Sequence, residues 1–416
     1  MRRASPFPAP SLELPLNEER AACPRCGGLL VFPAGRERLA CAGCRADWLR
    51  PVASARALVF ETAGRRLAFG RRWIGVAHRP RYPFHHALHA EPEVRKLAAE
   101  FGVPRRLRGK TQWERQRDLL RVLRIELFRH RPPAPVLRRL ALWTIARTNR
   151  HWYCTHLAYF YSAFAASLGW TARILNIGRD HLEKTDGHMI AEIWNDDWQK
   201  WVMVDPLFAA WFSRRGRPSE PLSFFEVRQD WLRGGGRRMI LHHRVRSASQ
   251  DLIGPERTLP ALRDDTRNRS LHPSHYFWAI AYLSNRFLTE PYEDGRFLAL
   301  FWRDRWNTGR AWYNRDKPVG YYRARHVVET STPLDFHPPL NNTAVWLLRD
   351  AVRPRVFLRA YCPNFARFEM KRDGAWRRIP AEFPLPPAHG RFAWEFRAVN
   401  RFGVAGKPAA LTGIAR

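Results

Sequence analysis

Residues 186–206 read Asp-Gly-His-Met-Ile-Ala-Glu-Ile-Trp-Asn-Asp-Asp-Trp-Gln-Lys-Trp-Val-Met-Val-Asp-Pro. An apolar run, Met189–Trp194, is followed by a polar turn, Asn195-Asp196-Asp197-Trp198, and a second run, Trp201–Asp205, stopped by Pro206. Two β-rich runs around a turn predict an antiparallel hairpin. With the turn centred on Asp196-Asp197, Asn195 faces Trp198 and His188 faces Asp205. Opposed residues share a face, with Cβ atoms about 4.5–5.5 Å apart. Register alone therefore brings an imidazole to a carboxylate, which would fix its tautomer and stabilise its charged form. A one-residue slip would separate them onto opposite faces.

Upstream, Asn149-Arg150-His151-Trp152-Tyr153-Cys154 leads into a predicted helix from Cys154 to Leu168, with Gly169 as its C-cap. Leu157, Tyr161, Phe164 and Leu168 give it an apolar face, which also carries Cys154. A thiol at a helix start meets the positive end of the dipole, which favours thiolate. Backbone N–H groups there can also hold an oxyanion. Trp170–Leu175 reads as a strand. Cys154, His188 and Asp205 are thus the candidate nucleophile, acid–base and orienting residues. An isolated Cys on such a helix would read as a small core residue.

These residues carry a resemblance. Cys154 at a helix start, Gly169-Trp170-Thr171-Ala172-Arg173, His188 with Glu192, and Trp201 with Asp205-Pro206 look like the motifs of the transglutaminase-like cysteine-enzyme superfamily. The match covers about 60 residues. It implies a papain-like core and thiolate attack on an amide or ester carbonyl, giving an acyl-enzyme. Peptidase- or amidase-like hydrolysis comes first. Transglutaminase-type acyl transfer and peptide:N-glycanase-like deglycosylation are the alternatives. Carried over, Cys154 is nucleophile, His188 general base and acid, and Asp205 its orienter, while Trp152 and Tyr153 help shape the oxyanion site. Ile190 departs from the many members with Trp two residues after the histidine. Glu192 reads as a structural strand partner rather than a second acid.

Four of the six cysteines form Cys23-Pro-Arg-Cys26 and Cys41-Ala-Gly-Cys44. Two such pairs supply the soft, tetrahedral ligand set that structural Zn²⁺ takes. Leu29–Phe32 and Arg38–Ala40 between them read as a hairpin, and the whole resembles a small zinc ribbon. Two disulfides are the competing reading and need an oxidising compartment. Cys362 reads as a buried core thiol.

The expected fold class is α+β: a transglutaminase-like core between an N-terminal zinc ribbon and a C-terminal β-sandwich. The expected divisions are a Pro-rich flexible arm (1–20), the ribbon (21–55), the catalytic domain (56–245), a mixed linker or accessory region (246–337) and a sandwich of fibronectin-III or Ig type (338–416). Thr111 and Glu114 predict a capping box opening a helix that runs to Phe128. Short alternating segments after Pro338-Pro339, separated by turns such as Arg372-Asp373-Gly374, predict the sandwich.

The chain of 416 residues is 45% hydrophobic and 26% charged, which excludes wholesale disorder. No apolar run reaches the ~20 residues of a membrane helix, and no secretory h-region follows Met1. These features predict a cytoplasmic protein. Lys and Arg total 71 against 38 Asp and Glu, a net charge of +33. Only 7 of the 71 are lysine. The arginines occur in every segment rather than in one stripe. The charge therefore reads as an arginine-biased background that favours an acidic substrate or partner, with nucleic acid not favoured, while the resemblance implies a protein, peptide or glycopeptide substrate. The rival class is an inactive binding protein using the basic surface and ribbon on nucleic acid or an anionic polymer.

Overall fold

A computed structural model describes residues 19–23, 25–26, 29–32, 38–49, 58–62, 65–69, 84, 92–127, 154–178, 187–245, 252–260, 278–283, 298–304, 326–348, 355–386 and 390–415. The predicted arm up to residue 18, and Trp152 and Tyr153, lie outside them. The chain is mixed α+β and divides into two units, 80–337 and a second made from both chain ends, 1–79 with 338–416.

Unit 80–337 is built on a ten-stranded sheet. In spatial order its strands are Leu252–Pro260, Met239–Val245, Ala210–Arg214, Lys200–Asp205, Gly187–Asn195, Ala172–Gly178, Trp278–Tyr282, Leu298–Trp302 and His326–Thr330, with Arg217–Pro221 paired to Ala210–Arg214. The last neighbours, Leu298–Trp302 and His326–Thr330, are parallel. The region 246–337, expected as linker or accessory, thus supplies four strands of this same sheet.

The predicted helix at Cys154 spans Cys154–Ser167, and Gly169 behind it takes φ 82°. Its side chains from His156 to Ser167 are all buried, rather than along one face. Sheet and flanking helices surround it. Pro92–Glu100 approaches at Ser167, whose Oγ accepts from Ala98 N–H at 2.9 Å. Gln112–Arg121 approaches at Tyr161, whose hydroxyl donates to the Gln116 carbonyl at 3.3 Å. Thr111 and Glu114 form the expected capping box. The α-helix stops at Arg121 and gives way to a π-helical turn, Val122–Leu127.

The hairpin forms, but its register differs from the expected one. Asn195 pairs with Lys200, Trp194 with Trp201 and Ala191 with Val204. The loop is therefore four residues, Asp196–Gln199, not two. A two-residue turn would need φ > 0 at both central positions, which suits Asn-Gly better than Asp-Asp. Instead, Gln199 takes φ 51° and Asn195 Oδ1 accepts from Trp198 N–H at 2.8 Å. Both aspartates are drawn to the start of the neighbouring helix. Asp197 accepts from Trp113 N–H at 3.1 Å and Asp196 from Gln112 Nε2 at 3.1 Å. Carboxylates at a helix N-terminus satisfy free N–H groups and oppose the dipole.

The second unit holds two larger antiparallel sheets and a small one. One larger sheet orders Glu382–Pro384, Arg355–Ala360, Thr343–Leu348, Asp47–Leu49 and Arg38–Ala40. The other orders Ala375–Ile379, Phe365–Arg372, Gly390–Asn400, Ala409–Ala415, Arg65–Phe69 and Leu58–Thr62. Val345, Leu347, Val356 and Leu358 of the first pack with Phe368, Met370, Phe396 and Leu411 of the second. This is a sandwich core with period-two alternation. The sandwich is not confined to 338–416, because N-terminal strands complete both sheets. Nor does the domain expected at 56–245 begin at 56, since Leu58–Thr62 and Arg65–Phe69 lie in the sandwich. The predicted hairpin between the cysteine pairs does not form. Leu29–Phe32 pairs with Glu19–Ala22, and Arg38–Ala40 with Asp47–Leu49. The first of these pairings also takes Glu19 and Arg20 out of the arm and into a strand.

Candidate active site and metal centre

The structure brings Cys154, His188 and Asp205 together. His188 Nε2 lies 2.6 Å from Asp205 Oδ2, with both side chains buried. In the observed register the two are diagonal neighbours rather than directly opposed. The shift is by two positions, so it preserves parity and both stay on one face. Asp205 Oδ1 accepts from the N–H groups of Leu207 at 3.0 Å and Phe208 at 3.4 Å. One oxygen is thus pinned by the following turn and the other by the histidine.

Cys154 is the first residue of its helix and is partly exposed. Its sulfur is hydrogen-bonded to His188 and to the backbone of Met189. With Nε2 on Asp205, Nδ1 is the ring nitrogen left for the thiol. Burial pushes the thiol up, but the His188 charge and hydrogen bond, with Met189 N–H, hold it below the ordinary thiol range. Burial likewise pushes His188 down, and Asp205 and Cys154 together overcome it and raise the imidazole to about 10. This is the arrangement of a thiolate–imidazolium pair steadied by a carboxylate. Trp152 and Tyr153 lie outside the described residues.

Glu192 belongs to a separate constellation on the same strand. Its Oε2 accepts from Arg173 at 2.7 and 3.1 Å, and its Oε1 lies 2.6 Å from His337 Nε2. Arg173 also stacks over Trp201, 4.5 Å from the ring centroid. Three residues of the quoted motifs, Arg173, Glu192 and Trp201, are therefore packed on one another. Arg173 faces Glu192 directly in the sheet. Burial pushes Glu192 up, but His337 and Arg173 bring it down to about 2. His337, which the sequence reading passed over, is 145 positions away in the chain, and no local pattern links it to Glu192.

In the other unit, the sulfurs of Cys23, Cys26, Cys41 and Cys44 lie within 4.8 Å of one another. Cys23 to Cys44 and Cys26 to Cys41 are each 3.6 Å. A disulfide needs about 2.05 Å, so no disulfide joins either pair. Zinc–sulfur bonds of about 2.3 Å in a tetrahedron place sulfurs ~3.8 Å apart, which these spacings fit. Backbone N–H of Cys44 lowers the Cys41 thiol, opposed by burial and aided by Gly43, to about 6. A side chain at Gly43 would put its Cβ 3.4 Å from Cys26 Sγ and 3.8 Å from Cys41 Sγ. Gly43 thus lies in van der Waals range of two of the sulfurs. Cys23, Cys41 and Ala46 pack against Ala344, Trp346 and Phe357, on the face of the sheet turned away from the sandwich core.

Compared with known proteins, the chain matches no family model, no curated protein and no solved structure. Among the described residues, no helix is long and apolar enough to cross a membrane.

Proposed function

We propose that the chain is a cysteine enzyme of transglutaminase-like type that acts on an amide-type bond through Cys154, His188 and Asp205. The observation that carries this reading is the continuous contact from the Cys154 thiol through His188 to Asp205, with the last step at 2.6 Å. Thiolate Sγ attacks the carbonyl carbon, and the oxyanion formed meets N–H groups at the start of the Cys154 helix. The tetrahedral intermediate collapses as His188 gives its proton to the leaving amine, leaving a thioester on Cys154. Water then attacks the thioester, His188 takes its proton, and the thiolate departs with release of the acid. An amine acceptor in place of water would give acyl transfer. Hydrolysis is favoured because water is the acceptor present at every site open to solvent.

The four-cysteine centre is read as a structural Zn²⁺ site that takes no part in the chemistry. The excess of arginine favours an acidic protein, peptide or glycopeptide substrate. A thiol nucleophile and four thiolate ligands suit a reducing compartment such as the cytoplasm.

The test is site-resolved alkylation. Iodoacetamide should label Cys154 ahead of Cys362 near neutral pH, and Cys154→Ala should abolish turnover of a peptide-amide library without loss of fold. If Cys154 reacts no faster than an ordinary thiol, the enzyme reading falls.

A further inference from the structure

Arg124 lies in the π-helical turn Val122–Leu127 and is 1% exposed. Its Nε donates to the Leu207 carbonyl at 2.8 Å. Its two terminal nitrogens are buried, with no hydrogen-bond partner among the described residues. A guanidinium stays protonated in proteins, and burying one without a counter-charge is costly. The charge that faces it is Asp205, with which it interacts electrostatically. Leu207 is also the residue whose N–H is held by Asp205 Oδ1. The same turn is therefore gripped from one side by Asp205 and from the other by Arg124. π-Helical turns recur at functional sites. Here the turn falls at Arg124.

We propose that Arg124 is a positioning residue for the triad: its guanidinium holds the Leu207 carbonyl and with it the turn that orients Asp205, and its charge offsets the negative charge of the site. This rests on the reading of Cys154, His188 and Asp205 as a triad. The charged groups that meet here come from three elements: Cys154 from its helix, His188 and Asp205 from the hairpin, and Arg124 from the π-turn. In sequence they alternate as thiolate, imidazolium, carboxylate and guanidinium. The four charges cancel, which is how a nearly dry site can keep a charged pair at its reactive end. Removing Arg124 leaves a net negative site. A net negative site holds its protons more firmly, so His188 would titrate higher and the Cys154 thiol would be harder to ionise.

The test separates charge from shape. Arg124→Gln can still donate to the Leu207 carbonyl but carries no charge, whereas Arg124→Lys keeps the charge. NMR titration of His188 should show its midpoint higher by about one pH unit in Arg124→Gln, and mostly restored in Arg124→Lys. Alkylation of Cys154 at neutral pH should slow about tenfold in the Gln variant. A folded Arg124→Gln protein with an unchanged His188 titration overturns the proposal. That readout does not depend on Cys154 being reactive, so a failure of the enzyme reading shows separately, as an ordinary thiol in the unsubstituted protein. Should both variants misfold, the unsubstituted protein still decides. The Arg124 ¹⁵Nε signal should move in step with the His188 titration, and a signal that stays flat through it overturns the proposal.

Discussion

His188 and Asp205 are diagonal partners across the hairpin, joined Nε2 to Oδ2 at 2.6 Å. Lys200 stands opposite Asn195 where Trp198 was expected, so the loop is two residues longer than the simplest turn. A shift of two positions leaves the alternation of faces intact, whereas a shift of one would have put the imidazole and the carboxylate on opposite sides of the sheet. The pair survives because Oδ2 can reach diagonally while Oδ1 is held by Leu207 and Phe208. Asp205→Asn keeps the size and an acceptor oxygen but removes the charge. The His188 midpoint should then fall by about one to three pH units, because the carboxylate is what raises it. NMR titration of the His188 ring reads this directly, and an unmoved midpoint would remove Asp205 from the proposed triad.

The pH dependence of the unsubstituted protein has a definite sign. The Cys154 thiol lies below the ordinary thiol range, and His188 is raised to about 10. The thiolate–imidazolium pair therefore fills as pH rises through the thiol's lowered midpoint, and it empties as His188 loses its proton near 10. Alkylation of Cys154 should rise at a pH below that of a free thiol and then level off. His188→Ala removes the imidazolium and the plateau together. The expected change is at least a tenfold loss of rate at neutral pH, checked with iodoacetamide kinetics at fixed ionic strength.

The candidate site was legible in the sequence to the extent that it depends on local periodicity. The alternation from Met189 to Asp205 gave the shared face, and the helix beginning at Cys154 was marked by its apolar run and Gly169. The loop length was hidden because Asp196 and Asp197 answer to Gln112 and Trp113, some 84 positions away. The ribbon hairpin failed for the same reason. Leu49 pairs with Leu347 from the opposite chain end, and no short window of sequence records such a partner. Arg124 was invisible because a π-turn has no signature in the apolar pattern that the helix before it follows.

Removing metal from the cysteine cluster should disturb the sandwich unit more than the ten-stranded sheet. Cys23 and Cys41 share a small core with Ala344, Trp346 and Phe357, and structural zinc centres contribute folding free energy outright. Chelation, or Cys41→Ser, should increase hydrogen exchange in Arg38–Ala40, Asp47–Leu49 and Thr343–Leu348, which lie side by side in one sheet. Exchange in Gly187–Asn195 should stay as it was. Elemental analysis should find about one zinc per chain before chelation. Uniform exchange changes in both units, or none, would count against a structural centre.

Glu192 offers the sharpest contrast with the triad. It is fully buried, and Arg173 opposite it is 2% exposed, so neither has water to fall back on. Breaking a buried pair by removing one partner costs about 3–5 kcal/mol. Glu192→Gln should therefore lower the stability of the unit by about that amount in chemical denaturation. Its low carboxyl value, about 2 against an ordinary 4.5, means that the folded state binds this proton less readily than the unfolded state. The stabilisation is full above pH 4.5 and is lost as pH falls toward 2. The Gln variant should be correspondingly less sensitive to acid over that window. At neutral pH, Glu192 and His188 are four residues apart along one strand, roughly 13 Å. Cys154 alkylation should then keep its midpoint in the folded variant, as a structural carboxylate requires and a second catalytic acid would not allow.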